Sequence, residues 1–177
     1  EANVDHIKAA LQKVDNSSTS DVVFTAHSIP EAMANNCDYT AQLTETGQLI
    51  AESLEIKMWQ LVYQSRSGSP SQPWLGPDIC DHLRVLKQQG VKNVVVAPIG
   101  FVSDHMEVIY DLDHEAQQVA EEVGIKMVRA ATAGTHSAFV KMIRELILER
   151  VAGATPRALG DRGIAHDVCP VDCCLSV

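Results

Sequence analysis

The sequence predicts an α/β fold: a Rossmann-like, four-stranded parallel sheet with helices on both faces. Three observations carry that prediction. Four short apolar runs of strand length recur, at Asp21, Lys57, Asn93 and Lys126. Segments with helical spacing of apolar residues separate them, and Gly- or Pro-rich punctuation falls between. Strands alternating with helices imply parallel strands joined by crossovers that cover the sheet on both sides.

Taken in order, Asp5 to Val14 reads as the end of a helix, and Asp15 to Ser20 as a polar loop. Asp21 to Ala26 is an apolar run without alternation, the pattern of a strand buried on both faces. Cys37 to Leu54 has helical period, and Lys57 to Tyr63 is a second strand. A loop rich in Ser, Gly and Pro follows from Ser65 to Gly76. Pro77 to Gln89 is predicted as a helix, with Pro77 in its first turn and Gly90 as its stop. Asn93 to Pro98 is the clearest buried strand. Asp104 to Val123 is predicted as one long helix ended by Gly124, Lys126 to Ala130 as the fourth strand, and Ser137 to Val151 as a closing amphipathic helix. Beyond Ala152 periodicity disappears. The expected division is therefore a domain over 1–151 and an irregular, Cys-containing tail over 152–177.

The chain's 177 residues suit one domain with a real core. A formal net charge of -9 argues against binding nucleic acid or an anionic membrane surface. No apolar run reaches the roughly 20 residues of a transmembrane helix. The first residues lack the basic start and apolar core of a signal peptide, so the expectation is a soluble, cytoplasmic protein. Five cysteines, three of them in the last nine residues, suit a metal or iron–sulfur site better than a disulfide framework.

In open α/β sheets ligands bind beyond the carboxyl ends of the strands. Three segments converge there: Ala26 to Pro30, Tyr63 to Arg66, and Pro98 to His105. His27, directly after a buried strand, suits either a hydrogen-bonded structural role or catalysis. On an α-helix of about 100° per residue, Asp104, Glu107, Asp111 and Glu115 share roughly an 80° arc. Like charges at this spacing repel by about 0.2–0.5 kcal/mol per pair, and no Lys or Arg lies between Asp104 and Gly124 to offset them. Two readings stand: a solvated acidic face, or a carboxylate row, flanked by His105 and His114, that passes a divalent cation along. Hard, flexible ligands suit transfer better than tight holding. Arg66 and Trp74 suit pairing with a carboxylate and stacking on a flat ligand, or ordinary loop roles.

The stretches Thr25-Ala26-His27-Ser28-Ile29-Pro30, Tyr63-Gln64-Ser65-Arg66-Ser67-Gly68, Pro73-Trp74-Leu75-Gly76-Pro77 and Pro98 through Glu115 together resemble the ferrochelatase family. Order and spacing agree over roughly Val22 to Val151. The resemblance implies a chelatase fold and insertion of Fe2+, a substrate, into a porphyrin with loss of two pyrrole protons, in haem biosynthesis. It implies His27 and Glu107 as catalytic residues, Ser65, Arg66 and Trp74 as substrate-binding, and His27, Glu107, Asp111 and Glu115 as the residues that handle the metal. Imidazole has a suitable pKa to take such protons near neutrality.

Members of the family are built from two similar halves, and this chain resembles the C-terminal one, so the expected partners are porphyrin, iron and an N-terminal half. Cys169, Cys173 and Cys174 resemble three ligands of the [2Fe–2S] cluster some members carry, the fourth being expected ahead of residue 1. The bacterial branch acting on coproporphyrin III is the expected substrate class, with protoporphyrin IX as the alternative. Two competing functions are a sirohydrochlorin cobalt or nickel chelatase and a non-catalytic tetrapyrrole- or metal-binding module.

Overall fold

The computed structural model describes residues 1–14, 21–169 and 171. Its elements are α1 (Ala2–Leu11), β1 (Asp21–His27), α2 (Glu31–Ala34), α3 (Tyr39–Leu54), β2 (Trp59–Gln64), α4 (Ile79–Gln88) and β3 (Asn93–Ala97). Then come α5 (Met106–Val108), a π-helical segment (Ile109–Ala116), α6 (Gln117–Val123), β4 (Lys126–Arg129) and α7 (Ser137–Ala152). All strand pairs are parallel, in the order β2-β1-β3-β4. The chain leaves β1 to β2 on one side and then crosses to β3 on the other. That reversal makes the carboxyl ends of β1 and β3 the topological switch point, where such sheets leave a crevice.

The strands bury both faces. Val23, Val62, Val94 and Val96 pack with Ile79, Leu83 and Leu86 of α4 and with Val108, Leu112 and Ala116 of the long helix. Val22, Phe24, Val95 and Ala97 point the other way, against Ile7 and Ala10 of α1 and Ile50 of α3. Adjacent residues thus go to opposite layers, as the strand period of two requires.

Two predicted boundaries are corrected. The fourth helix starts at Ile79, not Pro77: Asp78 is its N-cap and accepts from the Cys80 amide at 2.8 Å. The carbonyl of Pro77 is used by the Tyr63 amide instead, at 2.9 Å, which ties the loop to β2. The predicted helix from Asp104 begins at Met106, and its middle is not α-helical. The Gln117 amide is shared between the carbonyls of His114 and, five residues back, Leu112. Such π turns concentrate at functional sites. Gly124 ends this helix in the left-handed region, φ 71°, as predicted.

Gly100 fixes the approach of the β3–α5 connection to β1. Its amide donates to the carbonyl of Thr25 at 3.1 Å, and a Cβ there would lie 2.5 Å from the Ala26 Cβ and 2.8 Å from its Cα. Backbone cannot move aside as a side-chain tip can. Gly100→Ala is expected to cost about 1–3 kcal/mol, read as a lower midpoint in urea with an unchanged slope.

His82 of α4 is buried with Nε2 unpartnered. Burial lowers its pKa from 6.5, against the opposing pull of Asp21. A depressed histidine favours folding while neutral, so its contribution is complete above pH 6.5 and is lost as pH falls through the lower folded value. The wild type should lose stability on acidification from pH 6.5, and His82→Leu should flatten that slope in denaturant titrations. An equal slope in both proteins would remove His82 as the cause.

α7 has no buried residue. Val140, Ile143, Ile147 and Val151 are exposed, and at 100° per residue they form one apolar stripe on the side away from the body. Beyond α7, residues 153–169 contain neither helix nor strand and are tied back by charge. Arg162 pairs with Asp38, Arg157 with Glu145, and Arg150 with Asp167 at 2.6 Å.

Candidate active site

His27 ends β1, in register with Gln64 of β2. Its Nδ1 lies 2.5 Å from the carbonyl of Ser28. A carbonyl only accepts, so Nδ1 carries the proton and the neutral ring keeps its lone pair on Nε2. The backbone around it is pinned from three sides. Tyr39 Oη donates to the His27 carbonyl at 2.9 Å, the Ser28 amide to Gln64 at 2.8 Å, and Ser28 Oγ to Leu75 at 2.7 Å. Further bonds from Glu31 to Pro73 and from Leu75 to Ile29, both 3.0 Å, join the histidine loop to the loop bearing Trp74.

Glu107, on α5 after the β3 connection, comes to the same point. Its Oε1 lies 3.9 Å from His27 Nε2, and its Oε2 lies 4.0 Å from His105 Nδ1. The pair is open to the surface. Met33, Val102, Met106, Ile109 and Tyr110, which neighbour these residues along the chain, are all exposed. A polar pair with large apolar side chains near it along the chain suits a ligand with an apolar body and a polar centre.

The next carboxylate is held differently. Asp111 Oδ2 accepts from the Ser65 hydroxyl and, at 3.4 Å, from Gln64 Nε2. Gln64 also donates to the Glu107 carbonyl at 3.4 Å, and is buried with its Oε1 unpartnered. Beyond Asp111, Glu115 helps line a cleft of about 210 Å³ with Gln64, Ser65, Arg66, Cys80 and Asp111. Neither His27 nor Glu107 reaches this cleft. The Cys80 thiol is pushed up to about 12 by burial and then by Asp78 and Glu115, so without a metal it stays protonated at neutral pH.

The four residues expected to hand metal along are strung out, not gathered: among the described residues no three His, Cys, Asp or Glu lie closely enough to hold an ion. His27 and Glu107 meet, while Asp111 and Glu115 stand further along. Asp104 leaves the row altogether and pairs with Arg129 at 3.0 Å. Ser65, expected at the substrate, is committed to Asp111, and its own backbone is in the left-handed region, φ 60°. Arg66 donates to the carbonyls of Pro70 and Gln72 in its own loop. Trp74 is half-buried, with Nε1 unpartnered. Cys169 is exposed and free, whereas Cys173 and Cys174 lie outside the described residues.

Three contributors were not singled out from sequence. Tyr39 bonds the His27 carbonyl, and Gln64 bonds both the Glu107 carbonyl and Asp111, which no spacing reveals. Arg129 supplies the positive charge that the long helix lacks. Burial disfavours its charge, but hydrogen bonds and attraction from Asp113 and Asp104 outweigh this and raise its pKa.

The Ferrochelatase family model matches residues 1–151. A protein of Rhodopirellula baltica named Ferrochelatase is 51% identical over 177 residues, 98% of this chain and 50% of that protein. Two proteins named Coproporphyrin III ferrochelatase are also similar. That of Streptomyces griseus is 45% identical over 97% of this chain and 52% of its own length. That of Streptomyces coelicolor is 46% identical over 86% of this chain and 46% of its own length. The chain thus spans about half the length of the curated relatives it matches.

Proposed function

This chain belongs to the ferrochelatase family, and from that membership we propose that it forms the metal-inserting wall of an enzyme placing Fe2+ into a porphyrin in haem biosynthesis. The observation that carries the reading is His27 Nε2, its lone pair free, facing Glu107 across 3.9 Å at the sheet's switch point. Insertion breaks two pyrrole N–H bonds, forms four Fe–N bonds, leaves iron at +2 and releases two protons. Nε2 is suited to accept such a proton, and the Glu107 carboxylate to stabilise the imidazolium that results. The same lone pair is suited to present the metal. Asp111 and Glu115 extend the acidic line towards the small cleft, as a path along which a cation is handed rather than held.

The exposed apolar side chains near the pair support a flat macrocycle as ligand. Coproporphyrin III is our preferred substrate, since similar Streptomyces proteins bear that name, with protoporphyrin IX as the alternative. We take 1–151 as the chelatase domain and 152–177 as its tail. A cytoplasmic setting is supported by the free thiols of Cys37, Cys80 and Cys169; no helix among the described residues is long and apolar enough to cross a membrane. The second porphyrin wall is assigned to a further half, as supported by the half-length match and by the outward apolar stripe of α7.

The test is anaerobic metal insertion by this chain together with the complementary half, using coproporphyrin III, protoporphyrin IX and sirohydrochlorin with Fe2+, Co2+ and Ni2+. Iron porphyrin formation supports the reading. Insertion only into sirohydrochlorin, or porphyrin binding without insertion, overturns it.

A [2Fe–2S] cluster on Cys169, Cys173 and Cys174 is a separate proposal. The described residues do not build its site, since only Cys169 is among them and no ligand group gathers around it. No step of the reaction is routed through it. Protein purified without oxygen should be reddish and contain inorganic sulfide; colourless, sulfide-free protein would end the proposal.

A further inference from the structure

We propose that Arg129 is a positioning residue that holds the π turn open and thereby keeps Glu107 opposite His27. The inference rests on the reading of that pair as the reacting centre. Arg129 closes β4, paired with Val96 of β3, so its backbone is fixed by the sheet. Its side chain is 17% exposed and grips two carboxylates. Nε and Nη2 bind the two oxygens of Asp113 at 2.5 and 2.9 Å, and Nη1 binds Asp104 at 3.0 Å. Asp113 lies inside the π segment, whereas Asp104 lies ahead of α5. The guanidinium therefore bridges the two sides of Glu107 and Asp111.

The geometry of the extra residue explains what the clamp does. A π turn closes its hydrogen bonds five residues back where an α turn closes them four back. Relaxation to the α form requires one end of the segment to slip by a residue, turning it about 100° relative to the other. Such a slip would carry Glu107 away from His27. The planar fork of arginine fits Asp113 through two parallel bonds and still reaches Asp104. In the observed register both partners are satisfied at once. Lysine, a point charge without the fork, can hold one arm.

The test compares wild type with Arg129→Met and Arg129→Lys. Crystal structures of the chain itself read the register directly, as the acceptor of the Gln117 amide and the distance from His27 to Glu107. The variants are also assayed with the complementary half. Arg129→Met should switch the Gln117 acceptor from Leu112 to Asp113 and separate the pair. Iron insertion kcat should fall at least tenfold while porphyrin Kd stays within about twofold, and Arg129→Lys should recover part of the rate. Retention of the π turn with an unchanged kcat overturns the proposal, as does a loss confined to porphyrin binding. Should Arg129→Met not fold, Asp104→Asn, which cuts one arm only, decides by the same readouts. A wild type that inserts no metal would sink the proposed function, and the register comparison would still decide the clamp.

Discussion

His27→Ala is expected to slow iron insertion by about 10²–10⁴-fold, the range typical of a lost acid–base group, and Glu107→Gln should fall in the same range. The two residues are separated by 80 positions in the chain yet face each other at 3.9 Å. Alanine removes the Nε2 lone pair, while the bond from Tyr39 Oη to the residue-27 carbonyl and that from the Ser28 amide to Gln64 are unaffected, because they do not use the imidazole. Glutamine keeps the size of Glu107 and removes the charge that would stabilise a protonated His27. Both side chains are partly exposed, so far-UV circular dichroism and urea midpoint should remain near wild type. Porphyrin affinity should change little in either variant, because the loss falls on the step and not on the flat apolar contact. A single variant that turns over normally would remove that residue from the reaction.

The second large effect concerns the chain by itself. Iron insertion by residues 1–177 alone should be at least about a thousandfold slower than with the complementary half present, since reactants held in place gain far more than that over reactants that are not. His27 and Glu107 stand on an open surface, and neither lines the cleft of about 210 Å³ further along, whereas sites that enclose small molecules run to roughly 300–1,000 Å³. A macrocycle resting on one wall can be bound but not distorted, because strain must be offset by contacts on its other face. The exposed stripe of α7 should make the isolated chain self-associate, visible as concentration-dependent sedimentation. Haem formation at an equal rate without the second half would show that one wall suffices.

The alternation of strand and helix was legible because each of the four apolar runs is buried on both faces and stands out against its neighbours. The His27 and Glu107 segments were legible through their place at the strand ends. Strand order was not, since nothing local in Asn93 to Ala97 says that it pairs with β1 and not with β2. The π turn was also hidden: the carboxylate spacing from Glu107 to Glu115 fits an α-helix equally well, and the difference is imposed from outside. The position of Asp104 shows the cost of that assumption. On the helical wheel it joins the acidic row, yet it precedes the helix and binds Arg129, which lies 25 residues later. Ser65 was singled out by its place at a strand end, but its bond to Asp111 was not legible, because a hydroxyl there gives no sign of which neighbour it will meet.

The placement of β1 between β2 and β3 bears on how the molecule is made. During synthesis β1 emerges before the other strands of this sheet, and β2 can join it as soon as α3 has formed. Its other edge then stays bare until Asn93 to Ala97 leaves the ribosome, and the layer from α5 to α6 comes later still. At about 5–20 residues per second, the stretch from His27 to Ala97 takes on the order of ten seconds to translate. Throughout that interval the half-built sheet presents unpaired amides and carbonyls along β1, the kind of edge that recruits foreign strands. Nascent chains stalled before β3 should therefore be the species most in need of chaperone cover, and slow codons placed between α4 and β3 should lower the yield of folded protein more than the same codons placed after β4.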